Sequence, residues 1–151
     1  MIDPSAPIGC GGTRTQTVGR PILAHVNERA TLYDRAGGMP FFEALVGRFY
    51  EGVATDDVLR PLYPEADLAP AARRLTLFLA QYWGGPRTYD AERGHPRLRQ
   101  RHFPFVIDGD ARDRWLLHMR AAITDLAPPP DVAAELERYI AMAAEAMRNT
   151  D

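Results

Sequence analysis

Four apolar stripes, each at the spacing of one helix face and separated by proline, glycine or polar runs, constrain this chain more than any other feature. Phe42, Leu45, Val46, Phe49, Tyr50 and Val53 follow i, i+3, i+4, i+7, i+8, i+11, which puts them on one side of an α-helix. Ala71, Leu75, Phe78, Leu79 and Tyr82 repeat that spacing, and Gly84-Gly85-Pro86 ends the helix. Trp115, Met119, Ala122, Ile123 and Leu126 form a third stripe, stopped before Pro128-Pro129-Pro130. Val132, Leu136, Tyr139, Ile140, Ala143 and Met147 form a fourth. Asp131 is expected to cap its N-terminus, with Glu135 in the first turn. No segment alternates with period two over a useful length. The expected class is all-α: four main helices plus short ones, packed as crossed or antiparallel pairs.

The segments between stripes set the organisation. Residues 1–30 are rich in Gly, Pro, Thr and Ser and show no period, so they read as a mobile tail ahead of a domain at 31–149. Cys10 and His25 fall in that tail and receive no role. DDVLRPLYPEADL (56–68) is broken by Pro61 and Pro64, leaving room for a short helix and a turn. GGPRTYDAERGHPRLRQRH (84–102) is polar and loop-like for a dozen residues, and such a loop is usually functional or disordered. It runs into RQRHFPF, where Pro104 follows His102 by two residues. That proline places His102 in the last turn of a short helix.

Composition removes several classes. With 151 residues there is enough chain for one sizeable core. The formal net charge is −2, whereas a nucleic-acid module is usually clearly basic. All 18 cationic residues are arginine, the better partner for carboxylates. A single cysteine rules out an intrachain disulfide and a thiolate metal cluster. No apolar run approaches the ~20 residues that span a bilayer. MIDPSAPIGCGGTRTQTVG lacks a basic segment followed by an apolar one, so no signal peptide is recognised. The expectation is a cytoplasmic protein without membrane or nucleic-acid partners.

Few residues can carry chemistry. His102 has two readings: a helix-end imidazole favoured by the dipole, or a metal ligand. Zinc wants three or four ligands, and His25, His95 and His118 show no spacing that completes a set. Haem needs only one axial histidine, with cations for its propionates and an apolar slot for its ring. Arg97, Arg99 and Arg101 precede His102, and Arg73 and Arg74 lie on the second helix. They are either propionate partners or a solvated helix face. Tyr50, Tyr63 and Trp115 are apolar by bulk and carry a donor each. Singly they read as core; together in one cavity they would stabilise partial negative charge on a diatomic ligand. The arginine-rich segment 93–101 also admits a nucleic-acid reading, but it has few aromatics for stacking. No phosphate-binding glycine loop, paired-carboxylate signature or nucleophile elbow is present.

FYEGVATDDVLRPLYPEADL, RRLTLFLAQYWGGPRTYDAERGHPRLRQRHFPF and DRWLLHM resemble the group II (O-type) truncated haemoglobins of bacteria, in the same order over roughly residues 31–149. The resemblance implies a truncated globin: a two-over-two helical sandwich, helices B/E and G/H, around one haem b. In that family the first helix is very short and the proximal helix is reduced to a loop plus one turn. His102 then matches the proximal iron ligand. Phe103 and Phe105 would pack near the haem edge, Phe78 and Tyr89 would contact the cofactor, and Arg74 or Arg101 would reach the propionates. On the distal side the family's B-helix tyrosine falls on Tyr50, the tyrosine of the C-to-E connection on Tyr63, and the G-helix tryptophan on Trp115. The usual distal-histidine position falls on Ala71, with Leu75 one turn on, leaving a short path for ligands. His118 is expected to be a satisfied or interface histidine rather than a second ligand.

The implied function is reversible binding of O₂, and of CO, NO or similar ligands, with slow release. The alternative is a haem peroxidase or NO-detoxifying enzyme. No flavin or NAD motif is present, so such an enzyme would need an external reductase. A homodimer is compatible with the resemblance, though no surface is marked for one.

Overall fold

Each of the four stripes lies on an α-helix in the computed structural model, which describes residues 30–151. The expected tail up to residue 29, with Cys10 and His25, falls outside the described residues. Helix α1 spans Leu32–Ala36, α2 Met39–Ala54, α3 Ala69–Tyr82, α4 Thr88–Arg93, α5 Leu98–His102, α6 Gly109–Leu126 and α7 Pro130–Met147. A 3-10 turn covers Arg60–Leu62, a short element of the kind anticipated within 56–68. No strand occurs among the described residues.

Local chemistry sets the helix ends. Asp108 caps α6, its side chain accepting from the Ala111 amide at 2.9 Å. Ala127 closes the same helix in the left-handed region at φ 44°, just before the proline run. Asp67 accepts from the Ala69 amide at 2.9 Å where α3 begins. The expected cap of α7 is corrected: Pro129 takes the cap position and Pro130 opens the helix. Proline's fixed φ suits a first helical residue, and it has no amide to satisfy. Asp131 instead sits in the first turn, and Glu135, expected there, falls in the second; the two hold Arg35 of α1. A second correction is α4, six residues inside the stretch expected to be irregular. It buries only Tyr89, too little to make a stripe in the sequence.

The layers follow from the stripes. Helix α2 packs on α3 and on α6, and α6 packs on α7, giving two helices crossed over two. Phe42, Leu45, Val46, Phe49, Val53, Met119, Leu136 and Ile140 fill the contacts and are essentially inaccessible. Phe42 stacks with Tyr33 and Trp83, the latter at 6.0 Å between ring centres. Gly84 and Gly85 end α3 and also admit α1: a Cβ on either would lie 2.5–2.6 Å from Thr31 or Tyr33.

One charged group is fully enclosed. The Asp56 side chain, 2% exposed, accepts from the Val58 and Leu59 amides at 2.9 and 3.0 Å. It also meets His118 Nε2 at 2.6 Å, with Arg114 3.7 Å away. Burial alone would raise its pKa; His118, the two amides and Arg114 overcome that and hold it down at about 2, below the usual 3.8. A depressed carboxylate stabilises the fold above its ordinary pKa and loses that contribution as pH falls through the folded value. Asp56→Asn should therefore be less stable than the parent by about 2 kcal/mol at pH 6. That gap should largely close by pH 2; denaturant midpoints of both proteins at several pH values measure it, and a gap independent of pH contradicts the assignment.

Candidate functional site

A cavity of about 540 Å³ opens among α2, α3, α6, α7 and the segment carrying α5. That volume is in the range of cofactor sites. Its lining is mainly apolar, and small side chains (Ala71, Ala111, Ala143, Ala144) supply part of the wall.

His102 reaches this cavity from α5, a single turn. The turn starts at Arg97 with φ 44°. The Arg101 guanidinium steadies it by donating to the carbonyls of Pro96 at 2.8 Å and Arg93 at 2.9 Å. His102 Nδ1 lies 2.6 Å from the Leu98 carbonyl oxygen. A carbonyl only accepts, so Nδ1 carries the proton, and the neutral ring has its lone pair on Nε2. Among the described residues Nε2 has no protein partner, and no three His, Cys, Asp or Glu side chains converge as a metal set. Phe105 lines the cavity, whereas Phe103 is 64% exposed and does not. The expectation for Phe103 is therefore corrected: rings two residues apart across Pro104 leave the turn on different sides.

Tyr50, Tyr63 and Trp115 line the same cavity. Tyr50 comes from α2 and Trp115 from α6, and Phe49 wedges against both rings at 5.0 and 5.4 Å. The Tyr50 and Tyr63 rings meet edge-on at 5.6 Å. Tyr63 stands on no helix, yet its backbone is fixed. The Arg60 guanidinium donates to the carbonyls of Tyr63, Glu65 and Ala66 at 3.0, 2.9 and 3.2 Å. Burial, then the neighbouring hydroxyl, pushes the Tyr50 phenol far up, and burial raises Tyr63 as well. Both are phenols, able to donate, across the physiological range. Ala71, Leu75, Phe78 and Leu79 of α3, with Tyr89 of α4, complete that wall.

The cations at the cavity are committed to different degrees. Arg74 pairs with Glu65 at 2.7 Å, and that bond draws the Glu65 pKa down. Arg101 is spent largely on the two backbone carbonyls. Arg73, on the other hand, points away to Glu92 of α4. Sequence reasoning missed Arg93, Arg112, Tyr139 and Met147, which also line the cavity. Tyr139 and Met147 were visible on the fourth stripe but read as core; Arg93 was marked only as the start of the arginine-rich segment 93–101, and nothing marked Arg112. His118 stays outside the cavity, bound to Asp56.

One imidazole with a free Nε2, an apolar slot and arginines at its edge fit a haem better than any polynuclear metal site. Comparison with known proteins decides the family. The profile of the bacterial-like globins matches residues 31–149. The chain belongs to the bacterial-like globins. Its solved neighbours place it with the group II truncated haemoglobins. It is similar to the thermostable haemoglobin of the actinobacterium Thermobifida fusca, at 60% identity, covering 80% of this chain and 98% of that one, with TM-score 0.79. The group II truncated haemoglobin of Bacillus anthracis follows the same path at 37% identity, 80% and 92% coverage, and TM-score 0.77. A group 2 truncated haemoglobin of Bacillus subtilis is 45% identical over 86 residues, 57% of this chain and 64% of that protein. The match thus spans just under two thirds of that curated relative's length. This truncated globin is accordingly a haem-binding protein of a family that binds diatomic ligands. No described helix is long and apolar enough to cross a membrane.

The buried phenols offer a direct check. Tyr139 is pushed up to about 12 by burial and then by Tyr82. Spectrophotometric titration of the folded globin should show Tyr50 and Tyr139 still largely protonated at pH 11. Substituting either by Phe should then leave the absorbance change below pH 11 nearly unaltered; a clearly smaller change would place that phenol in solvent.

Proposed function

We propose that this globin holds one haem b through His102 Nε2 and retains O₂ by hydrogen bonds from Tyr50, Tyr63 and Trp115. The observation that carries the reading is the His102 Nδ1 bond to Leu98, which leaves Nε2 unprotonated in a cavity shared with those three donors. Bound haem would supply an iron that takes O₂, CO or NO.

The chain's own residues do the rest. Arg74, with Arg93 and Arg101 nearby, would meet the propionates; Phe78, Tyr89 and Phe105 would pack on the ring. Ala71 and Leu75 offer no donor where many globins carry histidine, so polar contact with a ligand falls to the two phenols and the indole. A donor fixed in a largely apolar cavity gains more from partial negative charge than one in water, because no solvent competes. Each such hydrogen bond contributes about 0.5–1.5 kcal/mol, and three acting together would slow O₂ release by about ten-fold to about two thousand-fold.

Slow release suits chemistry at the retained ligand better than delivery. The second reading, peroxide reduction or NO detoxification with electrons from an external reductase, is favoured by that same donor set. Solution measurements will also decide whether a homodimer forms.

The first test is the visible spectrum of the ferric, reduced and CO-exposed protein. A Soret band that shifts with CO is expected, and loss of that behaviour in His102→Ala assigns the ligand; absence of any Soret band after haem is added would sink the reading. Stopped-flow measurement of O₂ dissociation tests the donors. Trp115→Phe should speed release about 2- to 10-fold, and an unchanged rate removes Trp115 from the set.

A further inference from the structure

The segment that carries His102 has little to hold it. Helix α5 is five residues long, well short of a length that is stable alone. The residues after it form no regular element until α6. Pro104 has no amide to donate, and Phe103 and Val106 are 64% and 66% exposed. Burial therefore fixes this stretch only in part, through half-buried Leu98, Phe105 and Ile107, although the direction of the imidazole depends on it.

Asn149 supplies what burial does not. Helix α7 ends at Met147, and Arg148, with ψ 130°, turns the chain back across the segment. The Asn149 side-chain amide then uses both its ends. Nδ2 donates to the Phe105 carbonyl at 2.8 Å and to the His102 carbonyl at 3.3 Å. Oδ1 accepts from the Ile107 amide at 3.0 Å. The Asn149 backbone amide donates to the Ile107 carbonyl at 2.9 Å, and the Thr150 amide reaches the same oxygen at 3.3 Å. The His102 carbonyl also accepts from the Phe105 amide at 3.0 Å. One side chain thus ties residue 102 to residue 107 as a unit.

We propose that Asn149 is a positioning residue that fixes the His102 imidazole within the cavity. The inference rests on His102 being the haem ligand. Asparagine is the side chain the geometry requires, since it offers a donor to two carbonyls and an acceptor to an amide. Aspartate has the same shape but would turn an oxygen toward the two carbonyls, replacing attraction by repulsion.

The test uses the haem-loaded full chain with Asn149→Ala and Asn149→Asp, and Arg148→Ala as the control. The Arg148 side chain bonds only Glu145 and Asp151 among the described residues. Resonance Raman of the reduced, ligand-free protein reads the iron–histidine stretch directly. In both Asn149 variants that band should broaden and move to lower frequency, haem should transfer to a haem-free acceptor about 10-fold faster, and the Phe105 and Ile107 amides should exchange hydrogen faster. Arg148→Ala should match the parent. A parent band that is unchanged in both Asn149 variants overturns the positioning role alone. Equal shifts in Arg148→Ala also overturn it, by showing a general loosening of the chain end. A parent protein with no iron–histidine band overturns the haem-ligand reading, and this inference with it.

Discussion

The fold depends on the crossing of α2 and α6 at Gly52. The backbone of α2 comes so close to α6 there that a Cβ on Gly52 would lie 2.2 Å from His118 Nδ1. The imidazole fills the space a side chain would need, and its other nitrogen reaches Asp56. Asp56 in turn holds the first amides after α2, so it sets the direction in which the chain leaves that helix. Arg60 continues the control to Tyr63 through three carbonyls. Trp115 lies one turn before His118 on α6, and Tyr50 two residues before Gly52 on α2. All three candidate donors therefore hang from one contact. A buried carboxylate costs desolvation and is tolerated only when fully met; here its return is register, because the group ties the chain leaving α2 to two side chains of α6.

The cavity is held open by a division of labour between large and small side chains. Protein interiors ordinarily pack without voids larger than a water molecule. In this chain the bulky residues Phe42, Phe49, Met119 and Leu136 fill the seams between helices, while alanines of α3, α6 and α7 face the open space. An empty space of this size forfeits contacts on every wall. A ligand that fills it restores them and binds only the folded chain, so occupancy and stability are linked. Burial, which keeps Tyr50 and Tyr63 protonated, follows from the same arrangement.

Much of this was legible in the sequence, and the failures have physical causes. A 3.6-residue period reports which face of a helix avoids water, so the four long helices stood out. The period does not report whether that face meets another helix or a cavity, which is why Tyr139 and Met147 read as core. Helix α4 was missed because six residues burying one side chain make no period. Arg101 stands next to His102 in sequence, yet its guanidinium turns back to carbonyls of its own loop. Arg93 opens a segment marked only for its arginine content and Arg112 falls in no pattern, yet both reach the cavity. Nothing near residue 102 announces Asn149, whose contacts arise from chain reversal more than forty residues later.

The two sides of the cavity are consequently built by different physics. On the side of α2, α3 and α6, aromatic rings pack against one another; Tyr50 and Trp115 ride on the helix seam, and Tyr63 is held beside them through Arg60. Around residues 102–107, exposed Phe103 and Val106 and a single helical turn leave hydrogen bonds with a large share of the restraint. Regions with few buried contacts and many accessible backbone bonds open at lower free energy than packed cores. On that principle, local opening of this globin is expected first at the histidine segment and later at the wall of packed rings. On the proposed reading, the grip on the cofactor would loosen before the wall that carries Tyr50, Tyr63 and Trp115 comes apart.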